Sequence, residues 1–182
     1  MYRTYKTLRA VGINEDEALS KSESEYIEKQ ATLWYAEKHA LLATKNQVEQ
    51  YIQKLLQDYE ESAEHDAIES ACKKLNVTFE ETLQHDKPIY FTMCTLQNIY
   101  DAEYKKFKQD KRIFTEELTP AQQEEWTKLW KDFNEEILHS FKDSRDYSQL
   151  KNIADRSVEV LQLEDKNKSI KEIERIIFQR KI

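Results

Sequence analysis

The chain has 182 residues, of which only Gly12 is glycine and only Pro88 and Pro120 are proline. Sandwiches, barrels and nucleotide-binding α/β folds use glycine at turns that need positive φ, so this composition argues against them and favours helices. Charged residues make up 35% of the chain and the net charge is −7, which disfavours direct nucleic-acid binding and suits solubility or docking onto a basic partner. We therefore predict an all-α protein, an elongated or globular bundle of about five to seven helices built on one long N-terminal helix.

The compartment is predicted from the cysteines and from the absence of targeting patterns. Cys72 and Cys94 have no CxxC spacing, and we interpret them as buried thiols in a reducing compartment. No apolar run reaches the length of about 18 residues that a membrane span needs, and no secretory segment follows Met1. These observations predict a cytoplasmic protein that makes no membrane contact.

The N-terminal residues 1–22 are predicted to form an arm, or the first helix of a single domain over residues 1–182. Basic residues alternate here with Tyr5 and Leu8. The stretch from Met1-Tyr2-Arg3 through Leu8-Arg9 resembles the opening of LYR-motif mitochondrial proteins. The family has Leu where this chain has Met1. That resemblance implies a mitochondrial location as the alternative to the cytoplasm.

Residues 24–75 contain no glycine and no proline, and we predict one long helix there. Its apolar residues recur every seven positions, at Ile27, Trp34, Leu41, Val48 and Leu55. A repeat of this kind is typical of a helix that packs lengthwise on other helices. A second apolar row is interrupted by lysines, so we expect bundle packing rather than a two-stranded coiled coil.

Residues 78–182 are predicted to form shorter helices. Thr78 and Glu81 have capping-box spacing, and the helix that they start must end before Pro88. Thr119 and Pro120 then mark the start of another helix. The predicted inner faces are Ile89, Met93, Leu96, Tyr100, Tyr104 and Phe107 in the helix over 89–112, Trp126, Trp130 and Phe133 in the next, and Ile170, Ile173, Ile176 and Ile177 in the last.

The strongest charge signal is a run of six acids within twelve residues that contain no lysine or arginine. We call this run the acidic segment; it comprises Asp58, Glu60, Glu61, Glu64, Asp66 and Glu69. On one helix, acids would recur at intervals of about 5 Å and could imitate the phosphates of nucleic acid. The acidic segment is therefore the predicted partner-binding site, with a solvated helix face as the plainer interpretation.

A second interpretation concerns His39, His65, Asp66 and Asp155. These residues follow the order of the ligands in HD-type metal-dependent phosphohydrolases, and residues 118–163 resemble the end of small HD-family deoxynucleotidases. The resemblance implies a helical enzyme that holds a divalent metal on these four side chains. The chain lacks the Gly-Asp pair that follows in that family.

Other metal sites fit the sequence less well. His65 and Glu69 have the His-x-x-x-Glu spacing of hemerythrin-like iron sites, but the accompanying His-x-x-x-His is absent. Glu136 and His139 form a single Glu-x-x-His, whereas ferritin-like di-iron bundles need two. We predict no catalytic residue, no cofactor and no metal in the leading interpretation, which leans against an enzyme.

The leading hypothesis is a non-catalytic protein that binds another protein through a basic surface of that partner, with self-association into a homo-oligomer left open. More specifically, it would be an inhibitor that covers a nucleic-acid-binding surface, similar in type to small acidic phage inhibitors such as anti-CRISPR proteins. The alternative is a divergent HD-type nucleotidase. A third hypothesis is a structural subunit of a large assembly.

Overall fold

The computed structural model describes residues 1–151 and residue 155, and the regular structure in that part of the chain is helical. The helices are α1 (Tyr2–Ala10), α2 (Glu15–Lys38), α3 (Lys45–Glu60), α4 (His65–Lys74), α5 (Phe79–His85), α6 (Lys87–Asp110) and α7 (Pro120–Lys142), and residues 145–151 are helical as well. The all-α class is thereby confirmed. None of the helices described is long and apolar enough to cross a membrane. The helix predicted near the C-terminus lies outside the described residues.

The chain forms two compact units, and the division between them falls within α2 and within α7. One unit consists of Met1–Ala31 together with the chain from Asn134 onward. In it, the fully buried Tyr5 of α1 packs with Ala18 and Leu19 of α2. The other unit is Thr32–Phe133 and contains the remaining helices.

The prediction of one long helix over residues 24–75 is wrong, because three helices occupy that stretch. α2 ends at Lys38, and turns over residues 39–44 and 61–64 separate it from α3 and separate α3 from α4. Leu41, which fits the seven-residue repeat, lies in the first turn. The first helix of the chain is the short α1, so the prediction of a bundle built on one long N-terminal helix is not confirmed.

Two hydrogen bonds join the turn over residues 39–44 to α6. The Ala43 N–H donates to the Thr95 hydroxyl at 3.0 Å, and the Asn98 side-chain amide donates to the Leu41 carbonyl at 3.1 Å. Thr95 is fully buried and Ala43 is nearly so. Because water does not reach this backbone amide, the hydroxyl of Thr95 supplies the partner that a helix would otherwise supply.

A capping box then starts α3. The Thr44 hydroxyl accepts from the Gln47 N–H at 3.2 Å, and the Gln47 side chain accepts from the Thr44 N–H at 2.8 Å. Gln47 also donates to the Asn98 side chain at 2.7 Å. The start of α3 is thus fixed both by a local cap and by a contact with α6.

Four helices end in the same way, with a residue of positive φ followed by an apolar residue. The pairs are Gly12–Ile13, Ala40–Leu41, Asn76–Val77 and Arg112–Ile113. In each pair the N–H of the apolar residue donates to the carbonyl five residues earlier, which is the six-to-one bond of a Schellman motif. A residue with a Cβ pays roughly 1–2 kcal/mol to adopt this conformation, a cost that Gly12 avoids.

The predicted caps at Thr78 and Thr119 are both confirmed. Thr78 forms a reciprocal capping box with Glu81, and α5 ends before Pro88, as expected. Thr119 exchanges the corresponding bonds with Gln122, and Pro120 is the first residue of α7.

The core of Thr32–Phe133 contains two clusters, one at each half of α6. Val48 and Ile52 of α3 pack with Leu83 of α5 at the first half. The fully buried Trp126 of α7 packs with Phe107 at the second half. The predicted inner face of α6 is confirmed in this second half.

The first half of α6 turns a different face inward from the one predicted. Ile89, Met93 and Leu96 are exposed there, whereas Thr95 and Ile99 are buried. The reason is that α3 and its preceding turn lie on the side that carries the hydroxyl of Thr95.

Candidate functional site

The acidic segment lies at the junction between α3 and α4. Asp58 and Glu60 are in the last turn of α3, Glu61 caps that helix, and Glu64 precedes α4. These four residues are exposed. Asp66 is exposed in the first turn of α4, and Glu69, one turn later, is half-buried.

The junction itself is a short turn organised by Ser62. The Ser62 hydroxyl accepts from the Glu64 N–H at 3.1 Å, and its carbonyl accepts from the His65 N–H at the same distance. The acids are therefore spread over two helices and a turn. The uninterrupted one-turn spacing expected from a single helix is absent, which removes the argument from regular phosphate spacing.

The six carboxylates differ in their partners within the protein. Glu69 binds Lys73 at 2.9 Å, and Glu61 accepts from the Gln57 amide at 3.2 Å. Within the part of the chain that the structure describes, the carboxylates of Asp58, Glu60 and Glu64 have no hydrogen bond or ion pair. Half of the acidic segment is thus left to solvent or to another molecule.

The electrostatics of α3 are unfavourable at this end. A helix C-terminus carries partial negative charge, and α3 has Asp58 and Glu60 there with no basic residue in its last turn. A charge of favourable sign near a helix end stabilises the helix by roughly 0.3–1 kcal/mol, and an acid at the C-terminal end destabilises it by a similar amount. Stability alone does not account for acids at this position.

Tyr59 and Lys73 respond to the carboxylates around them. Burial raises the pKa of the Tyr59 hydroxyl, and the nearby charge of Glu69 raises it further. The hydrogen bond that the Lys73 ammonium donates to the Glu69 carboxylate raises the pKa of Lys73. Both shifts are in the direction that a negative local potential produces.

The four residues of the HD interpretation are placed as follows. His65 Nδ1 lies 3.4 Å from Asp66 Oδ1. His39 is exposed just after α2, with its ring stacked on Tyr35 at 4.1 Å. Asp155 is exposed and belongs to the other compact unit. The HD interpretation therefore stays a prediction.

A different trio has its potential ligand atoms close together. His65, Asp66 and Glu69 each offer one atom, and these three atoms lie within 4.8 Å of one another. The His65 ring packs against Tyr59 with 4.5 Å between ring centroids. The sequence did not predict this aromatic contact, because Tyr59 and His65 lie on either side of the turn over residues 61–64. The predicted long helix has no such turn.

A groove beside α3 adjoins the acidic segment. Glu60 and Gln57 line it together with Gln53 of the same helix and Glu80 of α5. Sequence reasoning did not find this groove, because it depends on how α5 packs beside α3.

Comparisons with models of protein families, with curated proteins and with solved structures give no match for this chain.

Proposed function

We propose that the protein is a non-catalytic interaction protein whose acidic segment binds a basic surface on a protein partner. In its more specific form, the proposal is that binding covers a surface with which the partner would hold nucleic acid. The observation that supports it best is the set of exposed carboxylates at Asp58, Glu60 and Glu64, which have no partner in the described part of the chain.

The position of these acids supports the same proposal. Acids at the C-terminal end of α3 oppose the helix dipole, and Asp58, Glu60 and Glu61 also repel one another. Lysine and arginine side chains of a partner would relieve both effects on binding. The cost in the free protein and the gain in the complex therefore have a common origin.

The neighbouring groove adds a place where a basic side chain would fit. Glu60 and Glu80 provide negative charge in it beside the ammonium of Lys54, and the amide oxygens of Gln53 and Gln57 provide further acceptors. A guanidinium has five N–H donors and no acceptor, so this lining matches an arginine of the partner.

Charge reversal at matched positions tests the proposal. The test variant is Asp58→Lys with Glu61→Lys, and the control is Glu116→Lys with Glu117→Lys in the exposed α6–α7 loop, which changes the net charge equally. The partner is first identified by cross-linking and mass spectrometry, and its affinity is then measured over a range of salt concentrations. We expect the test variant alone to weaken binding and flatten its salt dependence, because exposed charges are screened over about 8–10 Å. Equal losses in both variants, or affinity that salt does not change, would contradict the proposal.

The covered surface of the partner is tested separately by competition. If the inhibitor form of the proposal is right, the protein displaces nucleic acid from the partner, and the test variant does not. A ternary complex of protein, partner and nucleic acid would contradict that form while leaving the acidic interface in place.

The adjacent His65 and Asp66 justify one enzymatic control. Purified protein is assayed for release of phosphate from deoxynucleotides with added Mn²⁺ or Co²⁺. We expect no turnover. Activity that His65→Ala and Asp155→Ala both abolish would favour the HD nucleotidase instead.

A further inference from the structure

We propose that His65, Asp66 and Glu69 form a surface site for a divalent transition-metal ion such as Zn²⁺. This inference does not depend on the proposed function, because it concerns binding of the ion alone. The three ligand atoms come from the first helical turns of α4 and lie within 4.8 Å of one another.

One separation between ligand atoms already has the value that the ion needs, and all three atoms lie within 4.8 Å of one another. Zn²⁺ binds nitrogen and oxygen at about 2.0–2.2 Å, so neighbouring ligands of a tetrahedral site are about 3.4 Å apart. His65 Nδ1 and Asp66 Oδ1 are already separated by 3.4 Å. Asp66 is fully exposed, and about half of the Glu69 side chain is exposed. Rotation of these side chains can therefore bring all three atoms to the ion without moving the helix.

The imidazole is held in position by packing. The His65 ring lies against Tyr59, whose ring in turn packs against Phe79 with 4.2 Å between centroids. An oriented ring loses less rotational freedom when it binds an ion than a free one would. The nitrogen ligand also determines the class of ion, because imidazole favours zinc, copper and nickel over magnesium and calcium.

Two other histidines in the described residues also lie beside a carboxylate, and they can be compared with the proposed site at His65. His85 Nδ1 is 3.2 Å from Asp86 Oδ1, and His139 Nδ1 is 3.1 Å from Asp143 Oδ2. Neither pair belongs to a group of three potential ligands among the described residues. His85 is followed four positions later by Ile89, where His65 is followed by Glu69. The third ligand therefore distinguishes the His65 site from these two pairs.

Lys73 competes with the ion for Glu69. Its ammonium lies 2.9 Å from the Glu69 carboxylate, and a bound cation would have to displace it. Removing Lys73 should therefore strengthen metal binding, whereas removing a ligand should weaken it. A purely electrostatic cluster would also bind the ion more tightly without Lys73, so the loss of binding in His65→Ala is the response that shows coordination.

The experiment is calorimetric titration of the full chain with ZnCl₂ in a buffer that does not bind zinc. We expect one saturable site in the wild type, at least tenfold weaker binding in His65→Ala, and unchanged binding in His85→Ala. Glu69→Gln should weaken binding, and Lys73→Ala should strengthen it severalfold. MgCl₂ should give no comparable signal. Circular dichroism of each variant establishes that the helices are retained.

A second readout locates the ion. The chain has four histidines, so each imidazole signal in a nuclear magnetic resonance spectrum can be assigned by single substitution. The signal of His65 should shift first as Zn²⁺ is added. Equal loss of affinity in His65→Ala and His85→Ala, a first shift at another histidine, or the absence of saturable binding would each overturn the proposal.

Discussion

The buried bond between Ala43 and Thr95 gives the sharpest test of how this fold is held together. Thr95→Val replaces the hydroxyl with a methyl group of similar shape and leaves the Ala43 N–H without a partner. Thr95 is fully buried and Ala43 is 7% exposed, so water does not restore the bond. An unsatisfied buried donor costs about 1–3 kcal/mol, and we expect a loss of that size in the free energy of unfolding.

The matched control for this substitution is Thr92→Val on the same helix. The Thr92 hydroxyl donates to the Pro88 carbonyl at 3.0 Å, near solvent, and that carbonyl can bind water when the hydroxyl is removed. Its replacement should change stability by no more than about 0.5 kcal/mol. Thr95→Ser keeps the acceptor, and we expect it to retain most of the bond's contribution.

Urea unfolding followed by circular dichroism measures all three variants. The slope of the free energy with urea should stay constant, so that a shift in midpoint reports stability. Equal stability of Thr95→Val and Thr92→Val would refute the reasoning, because it would mean that the turn over residues 39–44 does not depend on this hydroxyl.

Four further substitutions test other parts of the structure. Ala40→Gly should stabilise the protein by about 0.5–1 kcal/mol and Gly12→Ala should destabilise it, since both positions have positive φ; thermal unfolding decides whether the two changes have opposite signs. Trp126→Ala should cost about 3–5 kcal/mol, measured by urea unfolding, because the indole is buried and donates to a tyrosine hydroxyl at 2.8 Å. The hydrogen bond that Lys87 donates lowers the pKa of Glu49 from its ordinary value of 4.5. This hydrogen bond therefore stabilises the fold at neutral pH, and the stabilisation is lost as the pH falls from 4.5 through the lowered pKa of Glu49. Glu49→Gln should remove that part of the acid sensitivity, and an unchanged pH profile of stability would contradict it.

The helical class and several helix ends could be predicted from local chemistry. The scarcity of glycine and proline predicted an all-α chain, and the capping boxes at Thr78 and Thr119 predicted two helix starts correctly. These signals involve residues a few positions apart, so they do not depend on tertiary contacts. The same capping spacing at Thr44 and Gln47 was missed, although it marks the break that the prediction lacked.

The long-helix prediction failed because periodicity reports which side of the chain is buried and does not report continuity. Ile27 and Val48 are both buried, as the seven-residue repeat requires, yet they lie in different helices. The capping box at Thr44 marks the start of α3 locally, but the Ala43 N–H of the same turn donates to Thr95, which is 52 residues away. That contact depends on how α6 packs, so the sequence around residue 40 does not show it.

Five of the six acids in the acidic segment are exposed and Glu69 is half-buried, but the segment does not have the form that the sequence predicted. Its acids were expected on one helix, and they lie on two helices joined by the turn at Ser62. The trio of His65, Asp66 and Glu69 could be seen in sequence only as spacing, since the packing of Tyr59 against His65 depends on that turn. Whether the segment binds a partner depends on a second molecule, whose charge this sequence does not contain.

The dependence of the α2–α3 turn on α6 has a consequence for the order of folding. Contacts between residues far apart in sequence form late, because closing the intervening loop costs entropy. Until α6 docks on the turn, the Ala43 N–H lacks the partner that Thr95 supplies in the folded protein. We therefore expect the bond between Ala43 and Thr95 to form late in folding. Thr95→Val should then accelerate unfolding while leaving the folding rate nearly unchanged, the kinetic pattern of a bond that is absent from the transition state.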